Sequence, residues 1–244
     1  MANDNTVSVH IDGLFGALPE QRGQHWDLLA RFFTAWLGEL GPSDGYAPES
    51  IRATEERLQL RLPSALREWY ALAGRRKAVW CCQDHFLAPE ELRIEDDNLI
   101  LCVEAQAVVK WGIPLSSLRQ DDPPVFVSDQ CDRRQWIEET PTVSVFALAQ
   151  MLLDTKFCEA TRYTANGQAN DEALAAVVRR YQRLDFPDLH WPPHPTRLYG
   201  GCDLIIETDA ETWFWVSARS PATFRSAIEL IESQGAVWEQ VLGL

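Results

Sequence analysis

No uninterrupted apolar run of about 18 residues occurs, because the most hydrophobic segments are broken by Arg31, Glu104, Lys110 and Glu229, so no membrane-spanning helix is expected. Residues 1–20 contain Asp4 and Asp12 but no early Lys or Arg and no apolar core of a secretory signal, so a cytoplasmic protein is expected. There is no basic arm: residues 1–50, 51–160 and 161–244 carry net charges of −5, −5 and −4. There is also no glycine-rich fingerprint leading into a helix, Gly200-Gly201 being too short to cradle a phosphate, and no internal repeat or heptad seam.

What is present describes a globular chain of 244 residues, 46% hydrophobic and 24% charged, long enough to bury a full core in one large domain. Its 36 acidic and 22 basic residues give a net charge of −14, which disfavours nucleic acid and anionic lipid and suits either a solvated surface or a cationic partner. Six cysteines, at 81, 82, 102, 131, 158 and 202, are expected to be reduced and partly buried, without disulfides.

Apolar residues at three- and four-residue steps predict a helix over Trp26 to Leu40, ended by Gly41-Pro42. Pro48 and Pro63 open two more, the second carrying Leu66, Trp69, Tyr70 and Ala73 toward the core and ending at Gly74. Ala78–Cys81, Leu99–Glu104, Val108–Trp111 and Val125–Ser128 read as strands of one sheet. Val143–Leu153 is a helix laid over that sheet, and another begins at Asp171 and runs toward Leu184. Asp185–Thr196, with four prolines, is a connector. Leu204–Glu207 and Thr212–Ala218 form a hairpin, and Ser220-Pro221 caps a last helix; this tail is expected to join the same sheet.

Chemistry-bearing patterns are sparse. Cys81, Cys82 and His85 lack a second cysteine pair at zinc-site spacing. His190 and His194 are four apart, but Pro192, Pro193 and Pro195 exclude the helical turn that would bring their rings together. Asp203 and Glu207 share a strand face, as paired carboxylates do in some nucleases, yet no lysine accompanies them and none follows Lys156. No catalytic residue, metal site or cofactor is expected; a hydrolase using Asp203 and Glu207 is a minor alternative.

The densest acidic feature, Glu90, Glu91, Glu95, Asp96 and Asp97 followed by Asp121 and Asp122, can meet a basic partner or form a solvated loop, and Asp122 can cap the backbone before Pro123. Of ten tryptophans, Trp36, Trp69, Trp111 and Trp136 fall at expected core positions. Trp191 in the connector and Trp213 or Trp215 in the hairpin are candidates for a recognition surface.

The order Leu62-Pro63 with Trp69-Tyr70, then Phe86-Leu87-Ala88-Pro89-Glu90-Glu91-Leu92, Glu104-Ala105-Gln106, Trp111-Gly112-Ile113, Asp122-Pro123-Pro124-Val125-Phe126-Val127 and Trp136 resembles the SUKH superfamily. The match covers roughly residues 48–155, with 1–47 an N-terminal helical extension, 156–196 a helix and connector, and 197–244 a C-terminal hairpin and helix. The resemblance implies an α+β fold with a central, largely antiparallel sheet flanked by helices. It also implies a non-enzymatic immunity protein that binds and neutralises a cognate bacterial toxin domain, often a nuclease. The candidate partner-binding residues come from the charge and tryptophan pattern: Glu90, Glu91, Glu95, Asp96, Asp97, Asp121, Asp122, Trp191 and Trp213. A regulatory or scaffolding module with an endogenous partner is the alternative.

Overall fold

The computed structural model describes residues 15–80, 82–129, 135–192, 194–201 and 203–243. Helix α1 (Arg22–Phe32) continues into a π-helical turn (Phe33–Leu37), followed by α2 (Pro48–Leu58), α3 (Ser64–Ala73) and the short α4 (Lys77–Trp80). Strands β1 (Asp84–Phe86), β2 (Arg93–Glu95), β3 (Asn98–Glu104), β4 (Val109–Pro114), β5 (Val125–Asp129) and β6 (Trp136–Thr140) come next, and then α5 (Val143–Asp154). The second half runs β7 (Tyr163–Gln168), α6 (Asp171–Arg180), β8 (Gln182–Arg183), β9 (Thr196–Gly201), β10 (Leu204–Asp209), β11 (Trp213–Ala218), α7 (Pro221–Glu232) and β12 (Val237–Leu242).

The fold is α+β and its sheets are antiparallel throughout, but there are two of them. The first has the order β1-β3-β4-β5-β6, with β2 also pairing β3, and the second β12-β7-β11-β10-β9-β8. The C-terminal hairpin therefore does not extend the first sheet. It recruits β7 on one side and β9 on the other, so its hydrogen bonds are completed within the second half of the chain. The expected strand at Ala78–Cys81 is the helical turn α4, with residue 81 outside the description. There Trp80 turns inward and its indole donates to the Ala73 carbonyl at 2.6 Å, closing the chain back on α3.

Helix α5 is buried at every position, which explains why its sequence is apolar all round rather than on one stripe. Its N-terminus is satisfied by Thr142, which accepts from the Val145 amide, and by Asp122, which accepts from the Ser144 amide at 3.0 Å. Against it pack Leu28, Leu29 and Phe32 of α1, Trp69 of α3 and the inner face of the first sheet, all in one core. Trp36, Trp69 and Trp111 are buried as expected, while Trp136 is half-buried.

Strict alternation organises the second sheet. In β10, Leu204 and Ile206 enter a separate core with Phe214 and Val216 of β11 and Phe224, Ala227, Ile228 and Ile231 of α7. Ile205, on the opposite face, joins the main core with α5. Glu207 and Asp209 follow Ile205 on that face, and β11 sets Trp215 opposite Glu207 and Trp213 opposite Asp209. Gly200, with φ of +143°, makes the β9–β10 connection possible: a Cβ there would lie 2.0 Å from the Leu204 carbonyl oxygen. Among the described residues no helix is long and apolar enough to cross a membrane.

Candidate functional site

A cleft of about 480 Å³ opens where the second sheet faces the end of α5. Its floor and walls come from four separate places: Asp84 at the start of β1, Asp154 and Lys156 at the end of α5 and the turn beyond it, Trp191 and Pro192 of the connector, and Asp209, Trp213 and Trp215 of the last hairpin. Residues Ala210 and Glu211, both with positive φ, form the tight turn that reverses the chain between Asp209 and Trp213.

Lys156 holds the cleft together. Its ammonium donates to Glu207 Oε2 at 2.5 Å and lies 4.9 Å from the Trp215 ring centroid and 5.1 Å from that of Phe157. The expectation that no lysine accompanies Glu207 is thus corrected: the lysine arrives from 51 residues upstream. Asp203, by contrast, sits in the β9–β10 turn and receives Arg219 at 2.8 Å, so the two carboxylates of the hydrolase alternative do different, structural work. Asp209 accepts from Thr196 Oγ1 at 3.0 Å and from Trp215 Nε1 at 3.1 Å. Burial pushes Asp84 up to about 6 and drives Asp154 and Glu207 upward as well.

The nine residues singled out from sequence divide into two groups. Trp191 and Trp213 both line the cleft and are half-buried. None of the seven acidic candidates lines it. Glu90 is exposed on a 3₁₀ turn (Pro89–Glu91), and Glu91 closes that turn by accepting from the Ala88 amide at 2.8 Å. Glu95 is bridged by Arg93 and Lys110, and Asp96 and Asp97 form the exposed β2–β3 turn with φ of 47° and 58°. Asp121 accepts from Ser64 Oγ at 2.6 Å in a groove shared with Arg61, Arg67 and Arg119. Asp122 is half-buried and caps α5 through Ser144. The cleft's own carboxylates, Asp84, Asp154 and Asp209, escape sequence reading because no two share an element.

His190 and His194 also need correction. Their rings stack at 4.4 Å between centroids, 10° from parallel, although no helical turn joins them. The buried Glu139 carboxylate organises this corner: Oε2 accepts from the His190 amide at 2.8 Å and from His190 Nδ1 at 3.0 Å, beside the cleft wall Trp191. Among the described residues, no group of three or more His, Cys, Asp or Glu side chains is placed to hold a metal ion. Cys158 Sγ donates to the Asp154 carbonyl at 3.4 Å, and Cys81, Cys131 and Cys202 lie outside the described residues.

These groups set a pH dependence with a definite sign. The hydrogen bond to Glu139 raises His190, and burial raises Asp84, so each carries more protons in the folded chain than in the unfolded one. The Asp84 contribution is complete below about 4 and lost as pH climbs through about 6; that of His190 is complete below about 6.5 and lost above it. Glu95, lowered by Lys110, and Asp188, lowered by Arg197, act oppositely, but their contributions are already complete above about pH 4. The urea midpoint is therefore expected to fall from about pH 5.5 to about pH 8, with His190→Gln flattening the part above 6.5. A midpoint that rises over this interval contradicts the assignment.

No family model, curated protein or solved structure matches the chain.

Proposed function

We propose that the protein is a non-enzymatic immunity protein that binds and neutralises a basic toxin domain, in keeping with its resemblance to the SUKH superfamily. The observation that supports this best is the cleft, where Trp191 and Trp213, of the residue type most enriched at binding hot spots, stand beside Asp84, Asp154 and Asp209. The exposed carboxylates of Glu90, Asp96 and Asp97 and the overall charge of −14 add a field that speeds encounter with a cationic surface. A nuclease must present Lys and Arg to phosphate, and an acidic protein seated on that surface denies it substrate. The competing hydrolase reading has less support, since Asp203 and Glu207 are each committed to a different cation.

The test is coexpression with the product of the gene immediately upstream, which the proposal expects to be a toxin. The two are expected to copurify and the cell to survive induction of the toxin, with association slowing severalfold as salt rises from about 0.05 to 0.5 M. Separate elution with no protection rejects the proposal.

A further inference from the structure

We propose that the cleft between the second sheet and the end of α5 is a receptor for a single guanidinium or ammonium group on a partner's side chain, arginine being the best fit. The proposal deepens the reading of the protein as the binder of a basic partner, and rests on it for the source of the ligand.

Charge comes first. Among the described residues lining the cleft Lys156 is the one cation and is bridged to Glu207, while no described ion pair reaches Asp84, Asp154 or Asp209; burial favours the protonated forms of Asp84 and Asp154, a preference that an entering cation opposes. Asp209 receives the neutral donors Thr196 and Trp215 and lies against the Glu207 carboxyl, which it pushes upward.

Hydrogen-bond supply points the same way. Asp84 is 5% exposed, and its Oδ1 has no partner, while Oδ2 receives only a 3.5 Å contact from Gln150 Nε2. Asp84 Oδ1 is thus a buried acceptor without a donor on a residue that lines the cleft, an arrangement that costs free energy until a donor arrives. The cleft's donors are partly engaged, Lys156 with Glu207, Trp215 with Asp209 and Thr212 Oγ1 with the Asp209 carbonyl, while Gln83 and the indoles of Trp191 and Trp213 also line its wall. Guanidinium, with five donors and no acceptor, answers the unpartnered Asp84 oxygen; a neutral sugar, which aromatic walls also suit, is the competitor that the experiment must exclude.

Shape and surface complete the case. Trp215 and Phe157 already hold the Lys156 ammonium against their faces, which shows the cation-binding use of aromatic walls within this same cleft. Trp191 and Trp213 offer two more such walls for an entering cation.

The experiment titrates the full chain with the peptide acetyl-Gly-Arg-Gly-amide, its citrulline counterpart and cellobiose, following the indole N–H resonances. The arginine peptide is expected to shift the Trp191 and Trp213 signals saturably, while the isosteric but uncharged citrulline peptide and cellobiose do not. Asp84→Asn and Trp213→Ala should each weaken the arginine peptide about tenfold. Trp213 is half-buried, so its variant keeps the test decisive if Asp84→Asn is poorly folded. Equal shifts from citrulline, binding of cellobiose, or no shift from the arginine peptide each overturn the proposal. Because no toxin is used, arginine binding without copurification removes the immunity reading and leaves the receptor, and copurification without arginine binding does the reverse.

Discussion

Lys156→Met is expected to lower the unfolding free energy by about 3 kcal/mol near neutral pH, a loss of the size seen when one partner of a buried ion pair is removed. The lysine and Glu207 side chains are 6% and 2% exposed, so solvent cannot replace the missing charge. Methionine retains most of the apolar stem, which separates the charge effect from loss of packing against Trp215 and Phe157. The stranded carboxyl can escape only by taking up a proton. Burial already pushes Glu207 upward and Lys156 pulls it back, so without the lysine the group stays protonated over a wider range. The loss should then deepen by about 1.4 kcal/mol for each pH unit over which Glu207 is ionised in the wild-type protein and protonated in the variant, a range that begins at about 8. Urea unfolding at about pH 7 and about pH 9.5 reads this directly, and Glu207→Gln in the same background should recover most of it. A loss below about 1 kcal/mol, equal at both pH values, would mean that the pair does not hold the cleft.

The parts of this structure legible in the sequence are those decided locally. Pro48 and Ser220 mark helix starts because capping and φ restriction act within one turn, and the β10–β11 hairpin is readable because its two strands are neighbours along the chain. The division into two sheets is not local. Strand β7, Tyr163-Thr-Ala-Asn-Gly-Gln, is a poor strand by composition, and forms because β11 and β12 pair with both its edges. Gly167 serves that pairing: a Cβ there would lie 2.2 Å from the Val237 carbonyl oxygen. Ala78–Cys81 reads as a strand but its residues 78–80 fold in the helical turn α4, for the opposite reason, since a four-residue apolar run has no period to distinguish the two. In the site, Trp191 and Trp213 were recognisable by residue type and by their place beside a connector and in a hairpin. The acids they converge with were not, because Asp84, Asp154 and Asp209 become neighbours only when α5 has packed between the first sheet and the second.

Trp69→Ala is expected to cost about 3–5 kcal/mol, the range for removing a fully buried aromatic side chain. The Trp69 ring stacks on Phe86 at 3.9 Å and 16°, and meets Trp80 and Phe146 edge-on at 5.2 and 6.2 Å. It thereby ties α3 to β1, α4 and α5, the elements that bring Asp84 and Asp154 to the cleft. Its indole nitrogen is buried without an acceptor, so truncation forfeits packing and no side-chain hydrogen bond. Trp69→Phe, which keeps a ring on Phe86, should lose well under half as much. The two large losses are distinguishable by mechanism: a cavity carries no titrating group, so the Trp69→Ala deficit should follow the wild-type pH profile at a constant offset, whereas the Lys156→Met deficit widens with pH. If the Trp69→Ala deficit instead narrows as pH rises through about 6, the loosened Asp84 beneath it has been freed of the burial that raises it, and packing and charge at the cleft floor are one coupled unit rather than two independent supports.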